Sequence, residues 1–277
     1  MNKVESFEQY KSLIGEFKAE CKKTTTNCYF LREDVQRYIE AGSLYYERHE
    51  RTFLLTVREC TYDHIYYYQD AAAEVEFHKQ DRQAVLDFVV RRNKVLDIAS
   101  EEEKWKKAGF EPYKEYVRMC MKLDGEYTLG RADEEMAEGQ RGKLFSYGDE
   151  KYAEQILKLW QANLDALSTP LPKLDTIRQM IRTGHVYYIL DGTQVIGALY
   201  LDVLGKSCLL QHLVIDGSCR KQRLGFCLLN YAFVRISQEK VAMCNLWVDV
   251  QNVPACELYQ KYGFEKDGLI SKQYLYK

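Results

Sequence analysis

The sequence predicts an α+β (mixed α/β) protein built from two related domains, and three observations carry that expectation. The first is an internal echo. "YIEAGSLYYERHERTFLLTV" from Tyr38 resembles "MIRTGHVYYILDGTQVIGAL" from Met180, and "EKWKKAGFEPYKEYVRM" resembles "CELYQKYGFEKDGLISKQYLY". In the first pair a helix-like segment stops at a glycine, Gly42 or Gly184, and a Tyr-Tyr pair follows. In the second an aromatic residue, Trp105 or Tyr259, stands before Gly109-Phe110 or Gly263-Phe264. The second observation is a regular succession of helical and strand patterns from Glu150 onward. The third is the segment "LDGEYTLGRADEEMAEGQRGKLFSYGDE" between the copies, whose glycines and charges suit a domain boundary. The expected domains are 1–122 and 146–277, joined by a linker at 123–145.

Composition narrows the function. At 277 residues and 46% hydrophobic content the chain can bury substantial cores, and a net charge of −2 gives no global attraction to nucleic acid or anionic membrane. Nine cysteines without CxxC spacing argue against a disulfide framework or a zinc ribbon, so no metal is expected and a cytoplasmic location is. "MNKVESFEQYKSLIGEFKAE" reads as an amphipathic helix with acidic residues rather than a signal sequence, and no run of about 18 apolar residues provides a membrane span.

The elements of the second half follow in order. Ile156, Leu159, Trp160 and Leu164 mark one helical face, which "STPLP" ends; a second helix runs from Leu174 to Arg182 and stops at Gly184. Strands are expected at about 186–190, 194–204 and 208–215, the first two joined by the hairpin signal Asp191-Gly192-Thr193. A helix begins near Gln222 with Leu224, Leu228, Ala232, Phe233 and Ile236 on its face. "NLWVDV" is a strand, "VPACELYQKY" a helix with Pro254 in its first turn, and "FEKDGLI" with "KQYLYK" a closing hairpin. In the first half "DRQAVLDFVVRRN" is expected to start a helix at about Asp81.

One joint concentrates positive charge. In "VIDGSCRKQRLGFCLL" a buried strand passes through Arg220, Lys221 and Arg223 directly into a helix. Amides at a helix N-terminus have no intrahelical partners and sit at the positive end of the helix dipole, so this joint suits an anion. The sequence Asn252-x-x-Ala255-x-x-x-Tyr259-x-x-x-Gly263-Phe264 places Asn252 and Tyr259 two helical turns apart, on one side of a helix.

These motifs, with the element order, resemble the GNAT acetyltransferase superfamily over roughly residues 145 to 277. The resemblance implies two GNAT-like domains, each a mixed, mostly antiparallel sheet flanked by helices, with an N-terminal half that is degenerate because it lacks the phosphate-loop glycines; an unrelated α+β domain at residues 1–122 is the alternative. The family's loop, Gln/Arg-x-x-Gly-x-Gly/Ala, places Arg220 first and Gly225 last, with Lys221 and Arg223 where glycines are usual; a frame starting at Gln222 restores one glycine and breaks the strand register. The positive side chains are expected to compensate for the lost glycines.

The resemblance implies acetyl-CoA as co-substrate, held by Val214 or Ile215 through a backbone amide, by Arg220, Lys221, Gln222, Arg223, Leu224 and Gly225 around the pyrophosphate, and by Asn252 along the coenzyme arm. Tyr259 would protonate the departing thiolate, by direct attack in a ternary complex. The carboxylate that many members carry in this strand is absent from "LLQHLVID", leaving His212 as the candidate base; Tyr187, Tyr188 and Asp249 are candidates to line an acceptor pocket. The expected acceptor is an amine-bearing small molecule or peptide, with no nucleic acid and no membrane as partner and a homodimer left open. The alternative function is a non-catalytic acyl-CoA sensor or interaction module.

Overall fold

The computed structural model describes residues 1–78, 81–123 and 142–277. It is a mixed α/β protein that divides into two compact units, Met1–Glu115 with Gly268–Lys277, and Tyr116–Asp267. The first unit thus includes the end of the chain and the second begins at Tyr116, a division that differs from contiguous spans of 1–122 and 146–277. Of the expected linker 123–145, residues 124–141 lie outside the described residues, and its end opens a strand, β8, named below. Among the described residues no helix is long and apolar enough to cross a membrane, and all nine cysteines are free thiols.

The N-terminal unit orders its strands β1 (Asn2–Lys3), β3 (Leu44–Arg48), β4 (Thr52–Arg58), β5 (Asp63–Asp70), β6 (Ala84–Arg91) and the part of β13 (Glu265–Tyr276) beyond Gly268, while β2 (Thr24–Thr26) pairs with β5. Its α-helices among the described residues are α1 (Phe7–Glu20), α2 (Arg32–Glu40) and α3 (Ala99–Lys107). The strand period of two sorts β4 between two cores. Phe53, Leu55 and Val57 join Phe17 of α1 and Val35 of α2 on one face, and Leu54 joins Trp105 of α3 and Phe110 on the other. The helix expected from Asp81 is instead strand β6. Ala84, Val85, Leu86 and Phe88 are all buried, and the segment pairs parallel with β5 and antiparallel with residues 269–276, so the sheet claims its β-branched and aromatic residues.

The C-terminal unit orders β7 (Glu111–Lys122, from Tyr116), β12 (Met243–Asp249), β11 (Ser207–Ile215), β10 (Gln194–Leu204), β9 (Val186–Asp191) and β8 (Lys143–Tyr147). Its helices are α4 (Ala153–Asn163), α5 (Leu174–Arg182), α6 (Leu224–Ile236) and α7 (Val253–Tyr262). α4 and α5 pack Ile156, Trp160, Ile177 and Ile181 on Tyr188, Ala198 and Val214. The closing hairpin does not form: residues 265–276 are one strand, in which Gly268 takes a φ of +86°.

The internal echo holds at the level of hydrogen bonds. Gly109 and Gly263 have φ of +98° and +112°, and Phe110 N and Phe264 N donate back to Trp105 O (3.1 Å) and Tyr259 O (2.9 Å). The two helices therefore end in the same left-handed cap, with Trp105 and Tyr259 in the same buried place.

Candidate functional site

The site begins where two parallel strands part. β11 and β12 share a ladder only from Ser207↔Met243 to Leu210↔Leu246, so Gln211–Ile215 and Trp247–Asp249 run on without pairing to each other. On its other edge β11 pairs with β10, but the register slips: Ala198 faces Val214 while Tyr200 faces Gln211, which sets two β11 residues, His212 and Leu213, opposite Leu199 alone. This is a β-bulge, and His212 carries it with a φ of +53°. Past the bulge, Asp216 N donates to Ile196 O on the β10 side (2.8 Å). By strand alternation the Ile215 N–H then points to the opposite edge, where the ladder to β12 has ended. Of Val214 and Ile215, Ile215 thus presents its amide to the gap, and Val214 is buried in the core.

The next turn is built by Asp216. Its Oδ1 accepts from Ser218 N (2.9 Å) and Ser218 Oγ (2.6 Å), bonds that hold its carboxyl below the usual carboxylate range. Arg220 then reaches back, donating Nε to Ile215 O (3.4 Å) and an η-nitrogen to Asn163 Oδ1 at the end of α4 (2.9 Å). Lys221 and Arg223 both adopt left-handed backbone, with φ of +65° and +59°. These are the positions where glycines are usual in the family the sequence resembles, so the loop keeps a glycine-type path with basic residues on it. Such conformations cost a non-glycine residue on the order of 1–2 kcal/mol each and concentrate at functional sites.

α6 opens immediately afterward. Its first helical bond is Cys227 N to Arg223 O (3.1 Å), which leaves the amides of Leu224, Gly225 and Phe226 without intrahelical partners. No side chain of the described residues caps this end, whereas Ser6 caps α1 and Asn252 caps α7. Lys221, Gln222 and Arg223 are exposed around it. A Cβ placed on Gly225 would lie 3.4 Å from Leu258 of α7 and 3.7 Å from Ile215, so this glycine is the point where β11, α6 and α7 meet.

Asn252 spends its side-chain oxygen on the α7 cap, accepting from Ala255 N (3.3 Å). Its amide nitrogen lies on an exposed residue. Tyr259 is buried against Phe264, and burial, with the Cys244 and Cys256 thiols nearby, pushes its phenol well above the ordinary tyrosine value. Tyr187 and Tyr188 do not line a pocket: both are fully buried, the first against Tyr147 and Tyr231, the second against Tyr152, where its hydroxyl accepts from Asp149 N (3.3 Å).

His212 lies against Trp160, ring centroids 4.8 Å apart, and burial lowers its pKa to about 4. An imidazole this acidic stays neutral at working pH, but taking a proton from an ordinary ammonium would be uphill by about 10⁶. Burial thus makes His212 a weak acceptor for an ammonium proton, which weighs against the expected role as base. Its depressed folded pKa contributes stability above the unfolded value of 6.5 that is lost as pH falls toward 4. Chemical denaturation of the wild type should show a loss of about 2 kcal/mol across that window, after discounting for partial exposure, that His212→Phe removes; an identical pH slope in the variant would refute this.

The N-terminal unit has a matching fork. Its parallel strands β5 and β6 pair only at Asp63↔Ala84, His64↔Val85 and Ile65↔Leu86. Here the gap is filled by the chain itself. β2 lies along β5 at Tyr68–Asp70, and the next residue, Asn27, donates Nδ2 to Ile65 O and Asp87 O (both 3.1 Å) while its Oδ1 accepts from Tyr67 N (2.8 Å). Neither Asn27 nor Asn163, which holds Arg220, is evident in the sequence, because each acts across a long chain separation.

A family profile described as an acetyltransferase (GNAT) domain matches residues 182–266. No curated protein matches the chain. Among solved structures, a tandem GNAT protein from the clavulanic acid biosynthesis pathway is similar with a TM-score of 0.58 and 11% identity over 84% of this chain and 83% of that one. A GCN5-related N-acetyltransferase from Sphaerobacter thermophilus aligns with a TM-score of 0.57 and 12% identity over 87% and 84%. One from Kribbella flavida gives 0.53 and 11% over 87% and 91%. At such identities the likeness concerns the fold.

Proposed function

We propose that the C-terminal unit, whose residues 182–266 match a GNAT acetyltransferase domain profile, transfers an acetyl group from acetyl-CoA to a primary amine of a small molecule or peptide, by direct attack in a ternary complex. One observation carries this reading: the left-handed Lys221 and Arg223 lead into an uncapped helix beside the fork between β11 and β12. Those features fit the coenzyme. The free amides of Leu224, Gly225 and Phe226 would hold its pyrophosphate, with Arg220, Lys221, Gln222 and Arg223 supplying positive charge and polar contacts at the same end. The Asn252 side-chain amide remains available to the coenzyme arm.

Acetyl-CoA supplies a thioester acyl group and a thiol leaving group. The chain's residues supply the rest. Ile215 N–H, oriented into the fork, is placed for the acyl oxygen and is already fixed by the bulge before any substrate arrives. Burial holds the Tyr259 phenol in its protonated form and makes it a weaker acid than a free phenol, so its role in this reading is to donate a hydrogen bond to the departing sulfur, which takes its proton from the amine by way of solvent. With His212 a weak acceptor, the amine is required to enter neutral or to lose its proton to solvent. The plugged fork of the N-terminal unit supports a single coenzyme site per chain.

Isothermal titration with acetyl-CoA, followed by thiol release over a panel of amines, tests the reading: one site per chain and turnover with at least one amine are expected. The weak basicity of His212 and the absent strand carboxylate favour the second reading, an acyl-CoA sensor, which binding without turnover across broad panels would select. Absence of binding would remove both. Arg220→Ala is expected to weaken acetyl-CoA binding about tenfold, the worth of a charge-assisted contact, with kcat within about twofold; an unchanged Kd would take Arg220 out of the coenzyme site.

A further inference from the structure

The N-terminal unit gathers three metal-binding side chains away from the transferase site. Glu47 ends within β3, His49 follows it in the β3–β4 turn, and His78 lies in the segment after β5; their ligand atoms are all within 4.8 Å of one another. The turn is rigidly placed, since His49 N donates to Thr52 O (2.8 Å). The His49 side chain is 12% exposed, and its Nε2 is buried without a hydrogen-bond partner. The nearest carboxylate oxygen, Glu47 Oε1, is 3.6 Å away. That is too long for a hydrogen bond, yet close to the separation of about 3.3 Å between two ligands of one tetrahedral zinc ion. On the other side of the ring, Glu76 Oε2 is 3.6 Å from Nδ1, within a small side-chain movement of the hydrogen bond by which a carboxylate orients a metal-binding histidine. The His78 ring lies nearly parallel to His49 with centroids 5.2 Å apart, and being exposed it is free to turn a nitrogen inward.

We propose that Glu47, His49 and His78 form a zinc site, with Glu76 orienting His49 and water completing the coordination. Two imidazoles and one carboxylate are a donor set suited to zinc, and an ion there would satisfy the buried His49 Nε2 while tying the β3–β4 turn to the segment after β5. The site does not depend on the transferase reading.

The test is calorimetric titration of full-length, chelator-stripped protein with zinc, alongside cobalt absorption spectra. The expected result is one zinc per chain, weakened at least tenfold by His78→Ala and about tenfold by Glu76→Gln, with a cobalt spectrum free of thiolate charge transfer. Because His78 is exposed, its variant should match the metal-free melting temperature of the wild type. Equal zinc affinity in wild type and His78→Ala, a thiolate band that moves the metal to the cysteines, or no saturable binding would overturn the site.

Discussion

Tyr259→Phe is expected to lower kcat for acetyl transfer about 100-fold while leaving the Kd for acetyl-CoA within about threefold, measured by thiol release and by calorimetry on the same preparations. The separation of the two effects follows from where the residue sits. Tyr259 is buried beside Phe264, so phenylalanine keeps the ring contact and the helix cap that the Tyr259 carbonyl makes with Gly263 and Phe264. What is lost is one hydroxyl whose proton burial retains to high pH. In the proposed reading Tyr259 donates to the leaving group while the start of α6 holds the coenzyme, so removing the hydroxyl lowers the chemical step and costs little binding. A variant that loses affinity and keeps turnover would reassign Tyr259 to packing.

Asn27→Ala is expected to destabilise the protein by about 4 kcal/mol, read from urea denaturation midpoints. The substitution strips partners from three main-chain groups, Tyr67 N–H, Ile65 C=O and Asp87 C=O, in a fork from which water is excluded by a residue only 9% exposed. A buried group left unsatisfied costs about 1–3 kcal/mol. Acetyl-CoA stoichiometry should remain one per chain, because opening this fork creates no helix N-terminus to hold a pyrophosphate: the segment that continues from it is strand β6. A loss under about 1 kcal/mol would show that β2 alone closes the fork, and a second coenzyme bound by the variant would show that Asn27 was its only obstacle.

Much of the C-terminal unit was legible because its signals are local. Gly184 and Gly263 announce helix ends through backbone freedom, Asp191-Gly192 announces a hairpin, and the spacing from Asn252 to Phe264 reads directly as a capped helix with its stop. The errors fall where a distant partner decides. "AVLDFVV" has apolar residues enough for a helix, and it is a strand because β5 and residues 269–276 offer it ladders on both edges. "FEKDGLISKQYLY" looks like a hairpin around Gly268, and it stays one strand because its second part pairs with β6.

The sequence by itself determined the order of elements, the repeated helix stops and the coincidence of basic residues with a strand-to-helix joint, since each depends on propensities and hydrogen bonds spanning a few residues. Tertiary structure alone decided the place of Gly268–Lys277 in the N-terminal unit, the bulge that aims Ile215, the burial that weakens His212 as a proton acceptor, and the closure of one fork by Asn27. Each of those rests on which main-chain groups and which apolar surfaces meet across tens of residues, and a linear pattern carries no record of such meetings.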